Sequence, residues 1–125
     1  MNHIGESEFD ELFSLAKKSN RLRSHLNLHT SHEDKVQRLL IAMIKGSFVK
    51  PHYHALSHQW ELFTVLKGVV RINFHSNDGE ILSTTYLGEG QKTMMIMIDH
   101  HEVHSVECIS EKALLLEVKE GPFSG

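Results

Sequence analysis

The sequence has one cysteine, two prolines and no long apolar segment, and each scarcity excludes a class of protein. A single thiol, Cys108, cannot close a disulfide within the chain, which agrees with a reducing compartment; its alternating apolar surroundings predict a buried, structural side chain. The apolar runs are too short to cross a bilayer, and residues 1–6 lack the features of a signal peptide. We therefore expect a cytoplasmic protein without a membrane partner.

An excess of basic residues is also missing. The chain has 13 Lys and Arg against 16 Asp and Glu, a formal net charge of -3. Proteins that bind nucleic acid draw most of their affinity from clustered cations, so a nucleic-acid partner is not expected. One basic cluster, Lys17, Lys18, Arg21 and Arg23, follows a predicted helix, where cations favour the helix dipole.

Histidine, in contrast, is abundant, with 11 residues in a chain of 125. Imidazole is the commonest transition-metal ligand and the usual proton carrier near neutral pH. The chain length and its hydrophobic fraction of 40% are typical of one folded domain, which we expect over residues 1–125.

Residue periodicity divides the chain into a helical segment and a β region. Residues 7–18 have helical spacing, with Ser7 as the predicted N-cap, inside a segment over 1–20 that lids or braces the rest. Short alternating runs follow, and each is bounded by a turn signal. The predicted strands are 36–44, 60–66, 69–75, 80–87, 94–98, 103–109 and 113–119. Strands without intervening helices favour an all-β sandwich or jelly-roll barrel.

Four side chains in this β region suit a metal. His52 and His54 are separated by one residue, so on an extended chain both imidazoles leave the same face, about 6.5 to 7 Å apart. Glu61 shares an inward face with the apolar residues that follow it, and a buried carboxylate needs a partner. His104 again places an imidazole on an apolar face. Three imidazoles and a carboxylate suit one divalent transition metal: iron, manganese, nickel or zinc, with copper also compatible.

The spacing of these residues resembles a known motif. Gly46, His52-x-His54, Glu61 and Gly68 look like the first motif of the cupin superfamily. The resemblance extends to the WbuC-type cupin-fold metalloproteins over about residues 19–123. The segments that carry it are Asn27-Leu28-His29, 36–40, 46–54, 60–63 and 117–123.

The resemblance implies a double-stranded β-helix barrel over about residues 21–123 and a homodimer. It also implies a metal-dependent enzyme that acts on a sugar or sugar nucleotide of bacterial surface polysaccharide synthesis, by isomerisation or epimerisation. An iron(II) oxygenase and a non-catalytic metal- or sugar-binding module are the alternatives.

Two positions depart from the cupin pattern. His58 lies at the spacing where the carboxylate is usual, so it rivals Glu61 as a ligand; the strand pattern favours Glu61. Asp99 and His101 replace a proline and a glycine of the second motif, which predicts strain if that turn needs a positive φ. His100 and His101 belong either to the mouth of the site or to solvent-exposed loop.

A further set of polar residues matches the WbuC-type pattern, and a hydrophobic core does not explain it. A small-molecule pocket, for example for a sugar nucleotide, and a polar network between subunits explain the set equally well. Its members are Arg23, Asn27, His29, Gln37 and Arg38.

Overall fold

The computed structural model describes residues 1–123, which form one helix and nine strands. The elements are α1 (Glu6–Lys18), β1 (Arg23–Asn27), β2 (Val36–Ile44), β3 (Phe48–His52), β4 (Glu61–Lys67), β5 (Val69–His75), β6 (Ile81–Gly88), β7 (Met95–Ile98), β8 (Val103–Cys108) and β9 (Lys112–Glu120). None of these helical residues forms a segment long and apolar enough to cross a membrane.

The strands form two antiparallel sheets. The five-stranded sheet has the order β1-β2-β9-β4-β7, and the four-stranded sheet has the order β3-β8-β5-β6. Apolar side chains from both sheets meet in one core, whose buried members are Met43, Phe63, Val65, Val70, Ile72, Leu87, Ile98, Val106, Cys108, Ala113 and Leu115. The predicted all-β jelly-roll barrel is therefore confirmed.

Glycines at the strand ends allow the tight turns that the sequence predicts. Gly68, Gly88 and Gly90 have φ values of 74°, 127° and 74°, in the region that only glycine adopts easily. A side chain on Gly88 would collide with the carbonyl oxygen of Gly68. These turns fix the register of β5 against β6, with Val69 opposite Gly88.

Helix α1 braces the outer face of the five-stranded sheet. Its buried residues Leu12, Phe13 and Ala16 pack on a cluster that includes Leu40 and Leu114. The N-cap is Gly5 and not Ser7, because the Glu8 carboxylate accepts a 2.6 Å hydrogen bond from the Gly5 N–H and closes the first turn two residues earlier than predicted.

The turn between β7 and β8 is not strained. Among the described residues, Leu22 is the non-glycine residue with a positive φ (56°). The residues at positions 99–101 do not have one. The turn closes instead by hydrogen bonds, since Asp99 N–H donates to Glu102 Oε1 at 2.8 Å and Glu102 N–H donates to Asp99 O at 3.1 Å. The condition for strain at this turn, a positive φ, is therefore not met.

Candidate metal centre

The four predicted ligands converge inside the barrel from both sheets. His52 ends β3 and is the register partner of His104 on β8, both in the four-stranded sheet. Glu61 is the first residue of β4 in the five-stranded sheet, where it alternates with buried Phe63. His54 follows β3, and its backbone N–H donates to His100 O at 2.8 Å, which fixes the chain at this point.

The ligand atoms lie close enough to share one ion. Those of His52, His54 and Glu61 are all within 4.8 Å of one another. Glu61 Oε1 is 3.2 Å from both His54 Nε2 and His104 Nε2. The rings of His52 and His104 are 4.4 Å apart between centroids. Two ligands that each lie about 2.1 Å from an ion are themselves about 3 Å apart, so these separations match shared coordination.

Backbone carbonyls orient two of the imidazoles. His52 Nδ1 lies 3.0 Å from Lys50 O, and His104 Nδ1 lies 2.9 Å from Glu102 O. A carbonyl only accepts, so in each ring Nδ1 carries the proton and Nε2 keeps its lone pair. This is the usual outer support of a metal-binding histidine.

Two buried polar atoms need a partner that the described residues do not supply. Glu61 is 4% exposed and His104 is 1% exposed. Glu61 Oε1 and His104 Nε2 have no hydrogen-bond partner within residues 1–123, although they lie 3.2 Å apart. A cation between them would satisfy both lone pairs, so the residues present fit a divalent metal.

Electrostatics keep Glu61 and His52 in their metal-binding forms. Burial alone would raise the pKa of Glu61, but its contacts with His104 and His54 outweigh burial and hold that pKa below its ordinary value. Burial lowers the pKa of His52, which favours the neutral imidazole. An ionised carboxylate and a neutral imidazole are the metal-binding forms.

The rival histidines lie elsewhere. His58 is in the loop between β3 and β4 and lines a separate small cavity beside Leu56 and Glu120. His100 and His101 pack edge to face, 5.1 Å between ring centroids, and the residues that line the main cavity do not include them. The structure therefore places Glu61, and not these histidines, in the cluster.

The cluster lies in the wall of an open cavity of about 560 Å³. The inner faces of β1, β2, β4 and β9 form much of this wall. Of the predicted substrate residues, Arg23, Asn27, His29 and Gln37 line it. Arg38 does not: its guanidinium donates to Val36 O at 2.9 Å and lies 3.8 Å from Asp34, facing solvent.

Gln37 has a structural task as well as a place in the cavity wall. Its amide donates to the carbonyl oxygens of Ser31 and Asp34, at 3.1 and 2.8 Å. These bonds fix the loop between β1 and β2, and a separate bond, from the Gly121 N–H to Lys35 O at 2.7 Å, joins this loop to the C-terminal segment. The loop and the segment together shape one side of the cavity.

Sequence reasoning missed three cavity residues near the C-terminus, Glu117, Lys119 and Phe123. Glu117 and Lys119 continue the inward alternation of Ala113 and Leu115, and two charged residues on an apolar face were the available signal. The Lys119 ammonium lies 3.4 Å from Glu117 Oε2 and 3.5 Å from the centroid of the Phe123 ring.

Glu117 lies beside Glu61 in the interior. Burial, reinforced by the charge of Glu61, raises the pKa of Glu117 to about 8. The pKa of Glu61 therefore lies below that of Glu117, and Glu61 is the carboxyl group that ionises.

Cys108 is not part of this chemistry. It is fully buried in the core, as predicted, and burial raises the pKa of its thiol to about 11. A thiol that stays protonated in neutral solution is a poor nucleophile and a poor metal ligand.

Residues 4–87 match the model of a protein family described as "Domain of unknown function (DUF6016)". The matched part includes His52, His54 and Glu61 and ends before His104. No functionally curated protein matches the sequence.

Solved structures with the same architecture are distant in sequence. A cupin superfamily protein from Desulfitobacterium hafniense is 18% identical, with a TM-score of 0.60 over 78% of this chain and 76% of that one. KdgF from a Halomonas species is 12% identical, with a TM-score of 0.62 over 82% and 80%.

Oxalate oxidase in complex with the substrate analogue glycolate is also 12% identical. Its TM-score is 0.64, over 86% of this chain but only 55% of the oxidase. At these identities the likeness establishes the fold alone. The chain belongs to the family described as DUF6016, has the cupin fold, and carries in its barrel a His-His-Glu cluster suited to a divalent cation.

Proposed function

We propose that this protein is a metal-dependent enzyme of the WbuC type, which isomerises or epimerises a sugar or sugar-nucleotide intermediate of bacterial surface polysaccharide synthesis. The observation that carries the proposal is the position of the ligand cluster. His52, His54 and Glu61 lie in the wall of an open cavity large enough for a small molecule, so a ligand in the cavity can reach the ion.

The ligand residues and the metal have separate tasks. His52, His54, His104 and Glu61 would hold the ion, and the remainder of the cavity would hold the substrate. The bound metal would supply a Lewis acid that polarises a carbonyl or hydroxyl oxygen. Isomerisation and epimerisation also need a group that removes a proton from carbon and returns it.

His25 is our candidate for this proton carrier. It lines the cavity outside the ligand set and is accessible from it. Desolvation of its imidazole in the cavity wall lowers the pKa of His25, and the positive charges of Arg23, Arg21 and Lys119 lower it further. The imidazole is therefore neutral at pH 7 and has a free nitrogen lone pair with which to accept a proton.

The experiment is deuterium exchange. The protein, reconstituted anaerobically with iron(II), manganese, nickel or zinc, is incubated in D₂O with a panel of nucleotide sugars and followed by proton NMR. An isomerase or epimerase replaces one carbon-bound proton of its substrate by deuterium. We expect exchange to be lost in Glu61→Gln, which weakens the metal site, and in His25→Gln, which keeps it.

Two other outcomes would replace the proposal. An iron(II) oxygenase is the second candidate, because this ligand set leaves coordination positions at which iron could bind dioxygen; substrate-dependent oxygen uptake without deuterium exchange would establish it. Binding of a sugar, measured as a raised unfolding temperature, with neither exchange nor oxygen uptake would indicate a non-catalytic binding module.

A further inference from the structure

The cavity contains an excess of cationic side chains, in a chain whose net charge is negative. Arg21, Arg23 and Lys119 line it. Within residues 1–123, neither arginine forms an ion pair with a carboxylate. Arg23 makes one long hydrogen bond, 3.5 Å to Phe48 O, so most of its donors remain available.

Lys119 is held in place rather than free in solvent. Its side chain is 14% exposed, and its ammonium sits over the Phe123 ring and beside Glu117. Cation–π contact and burial restrict the rotamers of a long side chain, which prepares the charge to receive a ligand. Phe123 is itself fixed, because its N–H donates to His32 O at 2.8 Å.

The three cations act on the same region of the cavity. All three contribute to the lowered pKa of His25, an effect that decays quickly with distance. Glu61 and Glu117 lie beside each other at the metal end, and Lys119 borders that end through its 3.4 Å contact with Glu117. The cationic groups and the metal ligands thus line one cavity and adjoin each other at Lys119.

The charges that line the cavity indicate the charge of its ligand. Three side-chain cations face two carboxyl groups, of which Glu61 is the ionised one, and a bound divalent metal would add two more positive charges. Like charges gathered around one cavity repel each other, and a bound anion relieves that repulsion. Arginine in particular presents paired donors that match carboxylate and phosphate oxygens.

We propose that Arg21, Arg23 and Lys119 form an anion subsite, and that the cavity takes a hydroxylated small molecule bearing a carboxylate or phosphate group. The anionic group binds at this subsite while a ligand oxygen faces the metal end. The second half of this statement rests on the proposed function, whereas the subsite itself does not. A neutral sugar is then a poor ligand.

Calorimetric titration of the metal-loaded protein tests the subsite with three probes: inorganic phosphate, glucuronate and glucose. We expect one or both anions to bind, with affinity that falls as salt rises, and glucose to bind at least tenfold more weakly. The anion that binds more tightly shows whether the subsite prefers a phosphate or a carboxylate group. Equal affinity for glucose and the anions, or no binding of any probe, would overturn the proposal.

Charge-removing variants locate the subsite. Arg23→Gln and Lys119→Gln should each weaken binding of the preferred anion at least tenfold. Arg38→Gln is the matched control, because Arg38 carries the same charge outside the cavity; it should change affinity less than twofold. Lys119→Arg, which keeps the charge, should restore most of the binding and separates loss of charge from loss of folding. An equal loss in all glutamine variants would refute the assignment.

The metal-free variant His52→Ala separates the subsite from the proposed enzyme. Phosphate should still bind to this variant, and Arg23→Gln added to it should remove that binding. If phosphate binds only to the metal-loaded protein and Arg23→Gln has no effect there, the anion is a metal ligand and the subsite does not exist. Failure of the deuterium-exchange experiment would leave these results unchanged.

Discussion

At the level of single residues, burial favours Glu61 over His58 as the metal ligand. Glu61 points inward from a strand and meets two imidazoles at 3.2 Å, while His58 lies in a loop beside a different cavity. The sequence offered both, because motif spacing favoured one residue and strand alternation the other. Alternation was the better guide, since it reports which face of a strand is buried.

We expect Glu61→Gln to weaken metal affinity at least tenfold. The amide cannot neutralise the ion, and disturbed ligand shells lose about 10- to 100-fold in affinity. His58→Ala should change affinity little. Competition with a chromogenic chelator measures both variants, and the reverse ranking would show that the loop between β3 and β4 folds over the ion.

Metal binding should weaken as the solution is acidified. Burial would lower the pKa of His104, but its contact with Glu61 raises that pKa above the ordinary value, so His104 protonates early as pH falls. His52, whose pKa is lowered, protonates later. Because only the neutral ring binds, affinity is high above these pKa values and drops by about tenfold per pH unit for each imidazole that titrates.

Chelator competition at pH 7.5, 6 and 5 gives the measurement. We expect metal release between pH 7 and pH 5. Constant affinity over this range would argue against three histidine ligands.

At the level of elements, the sequence predicted seven of the nine strands and missed β1 and β3. β2 and β5 occur at the predicted residues. β1 has one apolar residue, and β3 contains Pro51, which is tolerated because β3 is an edge strand. β1 and β3 form because each pairs with a neighbouring strand, and no local sequence pattern predicts such pairing.

The same limit applies to the site. His52 and His54 were predicted from their spacing, and Glu61 and His104 from strand alternation, whereas Arg21, His25 and Lys119 became visible only when β1 and β9 were placed around one cavity. These strands are separated by more than eighty residues in the chain, and both pair with β2. Their shared role therefore depends on sheet order, which the sequence alone does not specify.

Helix α1 should contribute to stability and not to metal binding. Phe13 is 4% exposed on the outer face of the five-stranded sheet, so Phe13→Ala should lower the free energy of unfolding by about 3 kcal/mol. Leu15→Ala, at a position 52% exposed, is the control and should cost less than about 1 kcal/mol.

Urea denaturation with and without metal measures both helix variants. A changed metal affinity in folded Phe13→Ala would show that the helix supports the site.

At the scale of the whole molecule, the fold leaves apolar side chains uncovered. Met95 and Met97 on edge strand β7 are 55% and 73% exposed, and Leu82 on edge strand β6 is 68% exposed. Edge strands with apolar side chains are common sites of association. We therefore expect a homodimer, as the sequence resemblance also implies, and light scattering at micromolar concentration measures it. A monomer would refute this prediction.

The barrel itself should fold without the ion. Its core of eleven buried residues, and not the ion, should supply most of its stability, so His52→Ala should lose metal yet keep its β circular dichroism. Metal analysis of the purified variant is the measurement. Full occupancy would contradict the site, and an unfolded variant would show that the ion is a structural requirement.

The ligand cluster draws Glu61 from one sheet and His52 and His104 from the other. The distance between the two sheets therefore sets the size of the ion that fits, and that distance depends on the side chains stacked between them. Val65 of β4 and Ile72 of β5 are buried in the core between the two sheets, so we expect them to act as spacers. Changing their volume should shift the preference between small and large metal ions without altering a ligand, which makes metal selectivity a property of the packed interior.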